Sequence, residues 1–354
     1  MNASQAHNGI KGAQSPKQPH HLAFPWNFEV KVDRLGRNAS SKDMRSIHKL
    51  AQLAINSYDY KKKSNERQLR AIWTLERAAS STRDISGGLL LEYAKAFKRI
   101  VDGTGHEVSQ MQTQERAAEA LRSLAGIKLN TDRELFIHEY GNICVDIATA
   151  PHSDDIVPSP PLLQLPFELL HLHPNFSNPR PSIHQRTAMH ATAALFELIG
   201  TPVRYFFSLV PYDDAIKPNG LHNLGKLTLG EDVDFEKTNL RKEVAVHGLA
   251  RICQTAHIDG VYDFATALLE NIGLRDANIG LGLLADTLVE ILESKESLPT
   301  ATSRAKLLLH NLHIHWQEKL GPDNPQFKEF VQKTGKYFKT DAELFPAPPA
   351  QPQS

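Results

Sequence analysis

Near the start of the chain, charged side chains alternate with apolar ones from Phe28 to Asp33. Glu29, Lys31 and Asp33 are each separated by one residue, and side chains two positions apart face the same side of a β-strand. The pattern therefore predicts a half-buried strand whose polar face carries these three charges. Because Mg²⁺ prefers a few carboxylates together with substrate oxygens, such a face could hold magnesium and nucleotide phosphates. The alternative is an ordinary solvated strand face.

Histidine is abundant, with 17 copies, and two clusters have spacings that suit a metal. In a strand, His171 and His173 would share one face, and in a helix His310 and His313 would lie one turn apart while His315 points elsewhere. Such sites could hold a metal such as zinc or iron, or a phosphate. Half-buried histidines bonded to backbone groups are the alternative. A wider set of histidines lies within one stretch of the chain: His138, His152, His171, His173, His184 and His190.

The two cysteines, Cys144 and Cys253, lie far apart in the sequence. This usage argues against a disulfide framework and favours a reducing cytosol. Cys253 and His257 are four positions apart in a predicted helix, so they could form a thiolate–imidazole pair. A buried thiol beside a polar neighbour is the alternative.

Several catalytic signatures are missing from the sequence, including the P-loop, the Gly-x-Gly-x-x-Gly fingerprint and the Gly-x-Ser-x-Gly elbow. The segment 167–171 lacks the first histidine of a zinc-binding His-Glu-x-x-His motif. Basic and acidic residues balance at 40 each, which argues against nucleic-acid binding. We interpret Lys61–Lys63 as a solvated helix end. No apolar run approaches the ~20 residues of a membrane span, and the polar residues 1–20 do not resemble a Sec signal peptide.

Most of the remaining sequence has helical periodicity. Apolar spacing predicts two or three helices between 240 and 296, and others over 44–58, 66–79, 88–101, 114–125, 187–199, 303–319 and 325–337. A β-hairpin is predicted from Glu134–Tyr140 and Ile143–Thr149, which flank a Gly-Asn step. Val203–Val210 predicts a further strand, and 162–173 fits either a strand or a short helix. The sequence contains no internal repeat of fixed period.

These elements predict an α+β fold, mainly helical with a small antiparallel sheet and disordered termini. The predicted organisation is a disordered leader at 1–20, an α+β domain at 21–240, a helical lobe at 241–340 and a disordered proline-rich tail at 341–354. One domain fits the pattern equally well.

Three segments resemble the glutamate–cysteine-ligase-like carboxylate–amine ligases, or amidoligases. Phe28–Asp33 is similar to their opening Gly-x-Glu-x-Glu strand, and 136–151 resembles a later segment that ends in Thr-x-Pro. The pair His171 and His173 stands where that family often has a His-x-His strand. Lys31 and Asp146 depart from the family, which has a glutamate at both positions.

The resemblance implies an ATP-dependent ligase, in which ATP phosphorylates a carboxylate and an amine displaces the phosphate. Glu29 and Asp33 would hold magnesium, and Lys31 would steady a phosphate. Further cofactor contacts would come from Asp146, His171 and His173. A degenerate relative that keeps the fold and has lost the chemistry fits the same resemblance.

Two other functions fit the sequence. A non-enzymatic helical interaction protein, such as a secreted bacterial effector, is suggested by the polar leader and the helix-rich body. A metal-dependent enzyme built on the histidines is the third hypothesis. The expected partners are a small-molecule or peptide substrate, or a protein, without nucleic acid or a membrane span. The expected location is the cytoplasm, or secretion through a specialised bacterial system.

Overall fold

Helices make up almost all regular structure in the described part of the chain. A computed structural model describes residues 25–105, 107–150, 183–200, 239–256, 261–295 and 297–337. The helices are α1 (Pro25–Ser40), α2 (Met44–Asn56), α3 (Glu66–Ser81), α4 (Gly87–Gly103), α5 (Val108–Ala125), α6 (Arg133–Thr149), α7 (Ile183–Glu197), α8 (Asn239–Thr255), α9 (Val261–Arg275), α10 (Ala285–Glu293), α11 (Pro299–Leu320) and α12 (Pro325–Thr334). A π-helical turn (Ile279–Leu284) precedes α10, and a 3₁₀ turn (Gly335–Tyr337) follows α12.

The predicted α+β fold is wrong for these residues, because they contain no strand and no sheet. Their one β-type pairing is an isolated bridge between Asp59 and Ser64. The strand predicted at Val203–Val210, the ambiguous segment 162–173 and the predicted leader and tail lie outside the described residues. None of the described helices combines the length and the apolar character needed to cross a bilayer, as the sequence predicted.

The strand predicted at Phe28–Asp33 is part of helix α1. Val32, Leu35 and Ala39 are buried and Phe28 is partly buried, so the apolar positions follow the spacing of a helix face. Val30, which a strand would have buried, is 64% exposed. The alternation spans only six residues, and the helical period becomes visible only when the following two turns are included.

The predicted β-hairpin is also wrong, because both of its strands belong to the continuous helix α6. The helix is buried on most sides against α4, α7 and α8, so its apolar residues form no single stripe. Gly141 was interpreted as a turn residue, but it lies inside this helix. A Cβ atom at Gly141 would clash with the side chain of Val244 on α8, so the glycine allows the two helices to approach closely.

The helices stack in two layers. The odd layer contains α1, α3, α5, α7, α9 and α11, and each of these helices packs against the next one in the layer. The even layer contains α2, α4, α6, α8, α10 and α12, stacked in the same way. Consecutive helices along the chain alternate between the two layers, and most consecutive helices pack against each other. This is the arrangement of an α-solenoid, in which stacked helix pairs bury a continuous core.

From α1 to α7, and between α9 and α11, neighbouring helices of the odd layer are parallel, because the paired residues advance together along both helices. Between α9 and α11 the pairs are Asp263–Arg304, Glu270–Asn311 and Leu274–His315, each 41 residues apart. The separation is 37 residues for Asp33–Arg70 between α1 and α3, and 40 for Glu76–Arg116 between α3 and α5. A structural period of about 40 residues is typical of helix-pair repeats. It occurs here without a repeat in the sequence.

One continuous hydrophobic core runs through both layers, from Val32 on α1 to Phe330 on α12. It crosses the predicted domain boundary near residue 240, where α8 packs against α6, α7 and α9. The α+β character of the first domain is wrong for the described residues, whereas a division of the chain near residue 240 remains a prediction.

Arginine–carboxylate pairs connect successive helices of the odd layer. The pairs are Asp33–Arg70, Glu76–Arg116, Glu115–Arg186, Arg122–Glu197 and Asp263–Arg304. An exposed pair such as Asp33–Arg70 contributes only about 0–1 kcal/mol to stability. The pairs between α5 and α7 are less exposed, and their two-pronged geometry fixes the register of the two helices.

Two glycines bring the π-helical turn against α9. A Cβ atom on Gly280 would clash with the backbone oxygen of Gly273 and would lie 2.9 Å from Nε1 of Trp316. That indole nitrogen donates a hydrogen bond of 3.0 Å to the same Gly273 oxygen. The glycines therefore permit a three-way contact among α9, the π-helical turn and α11.

Candidate functional site

The carboxylates predicted to bind magnesium lie at exposed positions of helix α1. Glu29 and Asp33 are one turn apart on the same side of α1, whereas Lys31 projects from another side. Asp33 accepts a hydrogen bond of 3.1 Å from Arg70 on α3. The structure therefore brings Glu29 and Asp33 near each other, separates Lys31 from them and pairs Asp33 with a cation of the chain.

The other predicted cofactor residues are not assembled around these carboxylates. Asp146 is exposed on α6, which packs chiefly on α4, α7 and α8, whereas α1 packs on α2 and α3. His171 and His173 lie outside the described residues. Within the described ranges, no group of three or more His, Cys, Asp or Glu side chains is placed to hold a metal ion.

The histidine cluster of α11 is divided among different contacts. The ring of His313 lies 5.2 Å from that of Phe327. Nε2 of His315 donates a hydrogen bond of 2.8 Å to the backbone oxygen of Leu274, and burial lowers the pKa of this imidazole. His310 and His313 lie one helical turn apart in α11, and their role as a shared site remains a prediction.

Both cysteines are reduced and buried. Burial raises the pKa of Cys253 to about 11, and Sγ of this residue lies 3.5 Å from Oγ1 of Thr266. Burial also raises the pKa of Cys144 far above its ordinary value. A thiol with a raised pKa is a poor nucleophile at neutral pH. His257, the proposed partner of Cys253, lies outside the described residues.

The most strongly coupled charges lie between α5 and α7, where five side chains form a polar cluster. Arg186 donates two hydrogen bonds to Glu115, at 2.7 and 2.9 Å. Nε of Arg122 donates one of 3.2 Å to Glu197, and Nη1 lies 3.3 Å from Nδ1 of His190. Because arginine only donates, Nδ1 accepts, and the proton of the neutral ring lies on Nε2. That atom is 3.9 Å from Oε1 of Glu115.

The electrostatics of this polar cluster favour the ionised form of Glu115. Burial raises the pKa of Glu115, but interactions with His190 and Arg186 outweigh it and hold the pKa at about 2. The side chains of Arg122 and Glu197 are only 16% and 12% exposed. With Nδ1 of His190 accepting from Arg122, the imidazole is not placed as a general base. The cluster is suited to joining α5 to α7 rather than to catalysis.

Acidification should test the role of Glu115. Its pKa is about 2 in the folded protein and ordinarily 4.5, so the ionised group stabilises the fold above pH 4.5 and this contribution is lost between pH 4.5 and 2. We expect a loss of about 2 kcal/mol from this residue by pH 3. Urea unfolding at pH 7 and pH 3 should show this loss in the wild type and not in Glu115→Gln. Glu119→Gln, on the exposed side of α5, is the matched control and should behave like the wild type.

The outward face of the odd layer provides a second candidate site. Opposite their buried sides, α1 exposes Val30, Arg34 and Arg37, and α3 exposes Trp73 and Arg77. The spacing i, i+4, i+7 on α1 and i, i+4 on α3 places each set on one helix face. Trp73 is 51% exposed, which is unusual for a large aromatic ring. We call these five residues the α1–α3 outer surface.

Two contacts place the halves of this surface side by side. A Cβ atom on Gly36 would clash with the side chain of Thr74, so α1 and α3 approach closely at this point. The Asp33–Arg70 pair joins the two helices one turn earlier. The surface does not follow from the sequence alone, because the alternation at Phe28–Asp33 predicts a strand where the structure has α1. The spacing of Trp73 and Arg77 on the correctly predicted helix α3 was the available signal.

Comparison with known proteins gives no family for this chain. No protein-family model matches the sequence, and no curated protein matches it. The solved structures that structural comparison finds include two engineered proteins, both crystal structures of the Northeast Structural Genomics Consortium. One is 16% identical with a TM-score of 0.25 and covers 83% of this chain and 96% of its own length. The other is 16% identical with a TM-score of 0.15, and the match covers 87% of this chain and 99% of the engineered protein.

Proposed function

We propose that the protein is a non-enzymatic interaction protein that binds another protein through the outward face of its stacked helices. The observation that supports this most strongly is the α1–α3 outer surface, where an exposed Trp73 lies among arginines on parallel, closely packed helices. Stacked helix pairs create extended surfaces that bind protein segments. Tryptophan and arginine are the side chains most enriched among residues that dominate binding energy.

The chemistry of the described side chains supports a binding role. Both thiols have raised pKa values, and the α5–α7 polar cluster joins two helices. Cys144 and Cys253 are free and buried, which supports action in a reducing compartment such as the cytoplasm.

Selection from a displayed peptide library against the immobilised full-length protein tests this function. We expect peptides to be enriched and, in hydrogen exchange, to protect amides of the odd layer. A parallel thermal unfolding experiment with Mg-ATP tests the ligase hypothesis, because a ligand at ~100 times its dissociation constant adds ~2.7 kcal/mol. A stabilisation that disappears in Glu29→Ala, together with no enriched peptide, would contradict the proposal.

A further inference from the structure

The α1–α3 outer surface has a charge and an exposed ring that indicate the chemistry of its partner. We propose that this surface binds an acidic peptide segment of a protein partner, with Trp73 as the apolar anchor. The inference rests on the proposed function, because it specifies what the helical stack binds and where.

Three arginines give the α1–α3 outer surface its positive charge. Among the described residues, no ion pair or hydrogen bond involves the guanidinium group of Arg34, Arg37 or Arg77, whereas that of Arg70 is paired with Asp33. Interaction with the helix dipole is confined to the last turn. It therefore does not account for Arg34 and Arg77, which precede the last turns of α1 and α3. Carboxylates of a partner are the complementary groups, because arginine pairs with them in a two-pronged geometry.

Two apolar side chains lie between these cations and are available to a partner. Trp73 is 51% exposed and Val30 is 64% exposed, and both belong to the face opposite the core. A partner residue that covered the indole ring would bury a large apolar area while its acidic neighbours reached the arginines. An apolar centre with a charged rim is the usual organisation of an interface.

The parallel helices give the surface a direction. Arg37 and Arg77 lie toward the carboxyl ends of α1 and α3, whereas Glu29 and Glu66 lie toward the amino ends. Beyond the arginines, an open polar cleft is lined by Ser40, Ser41, Lys42, Ser81, Arg83 and Asp84. We therefore expect the acidic residues of the partner to lie toward this cleft.

The length of the surface sets the length of the bound segment. The stretch from Val30 to Lys42 would span about 18 Å, or about six residues of an extended peptide.

The loop between α2 and α3 provides a matched control. Tyr60 is 70% exposed there and is followed by three exposed lysines, Lys61, Lys62 and Lys63. This loop also combines an aromatic ring with cations, but it lies outside the α1–α3 outer surface. If charge and an exposed ring were sufficient anywhere on the protein, changes in this loop would weaken binding as much as changes at Trp73.

The experiment measures fluorescence anisotropy of fluorescein-labelled peptides titrated with the full-length protein. The probe peptide carries Asp and Glu on both sides of a central Leu-Phe pair, and a second peptide carries Lys at the acidic positions. We expect the acidic peptide to bind more tightly than the basic one, and binding to weaken with added salt. Trp73→Ala should weaken binding about tenfold or more, and Arg77→Glu should have a similar effect. Tyr60→Ala and Lys62→Ala should leave the affinity unchanged.

Several outcomes would overturn the inference. Equal binding of the two peptides, or an equal loss in Tyr60→Ala and Trp73→Ala, would show that this surface is not specific. Tighter binding of a single-stranded oligonucleotide, lost in the same variants, would favour a nucleic-acid partner. Circular dichroism is used to check that Trp73→Ala remains folded, and Arg77→Glu provides the test if Trp73→Ala unfolds. If acidic peptides fail while the library yields other binders, the proposed function stands and this inference is wrong.

Discussion

Replacing Arg122 with methionine is expected to lower the free energy of unfolding by about 3 to 5 kcal/mol. Arg122 donates hydrogen bonds to Glu197, and the two side chains are only 16% and 12% exposed. The substitution keeps most of the apolar stem and removes the charge, so Glu197 stays in a poorly solvated place without its arginine. Urea unfolding followed by circular dichroism measures the effect.

A double variant separates the effect of the charges on the free energy of unfolding from the effect of side-chain packing. Arg122→Met/Glu197→Gln removes both charges, so the loss should be smaller than the sum of the two single losses by about 1–3 kcal/mol. Arg34→Met is the matched control, because Arg34 is exposed, and its effect should remain within about 0.5 kcal/mol. Additive losses in the double variant would show that the pair does not join α5 to α7.

The second large effect is expected at the π-helical turn, where Gly280→Ala should cost about 3 kcal/mol. The added Cβ would clash with the backbone oxygen of Gly273 and crowd Nε1 of Trp316. Backbone atoms cannot move aside as a flexible side chain can, so the contact among α9, the turn and α11 must open. The midpoint of urea unfolding should fall with little change in slope, and the near-ultraviolet circular dichroism of tryptophan should change.

Gly282 is the matched control two residues further along the same turn. A Cβ atom there would meet no heavy atom within 4 Å. Gly282→Ala should therefore be neutral or stabilising by up to about 1 kcal/mol, because alanine has the higher helix propensity. Equal destabilisation by both substitutions would refute the steric explanation and would point to the glycine backbone itself.

The amphipathic helices were predictable from the sequence, whereas α1 and α6 were not. In α2 to α5 the apolar residues form a stripe over several turns, which has the period of a helix. In α1 the alternation of Phe28–Asp33 fits a β-strand as well as a helix, and packing against the rest of the protein selects the helix. In α6 burial on most sides removes the stripe, so a helix and two strands produce the same apolar pattern.

The stacking of helices and the candidate surfaces required the structure. The period of about 40 residues results from the lengths and packing of the helices. Because no residue types recur at fixed positions, comparing the sequence with itself does not reveal this period. The α5–α7 polar cluster joins Glu115 to Arg186 and Arg122 to Glu197 across 71 and 75 residues. Charged residues this far apart give no local signal, because any arginine and any glutamate satisfy the same pattern.

The stacking also has a consequence for the order of folding. Paired residues in α1–α5 and in α9–α11 are about 40 positions apart, whereas the α5–α7 polar cluster closes chain segments of 71 and 75 residues. Each doubling of the closed segment costs about 0.6 kcal/mol of chain entropy, and contacts between distant residues slow folding. Assembly is therefore expected to begin separately at the two ends of the stack. The contacts of α7 and α8 with α5 and α6 are expected to close later, because they join residues more than 70 positions apart and about 100 apart at Gly141 and Val244. A chain whose α5–α7 polar cluster is weakened would then accumulate as two ordered halves.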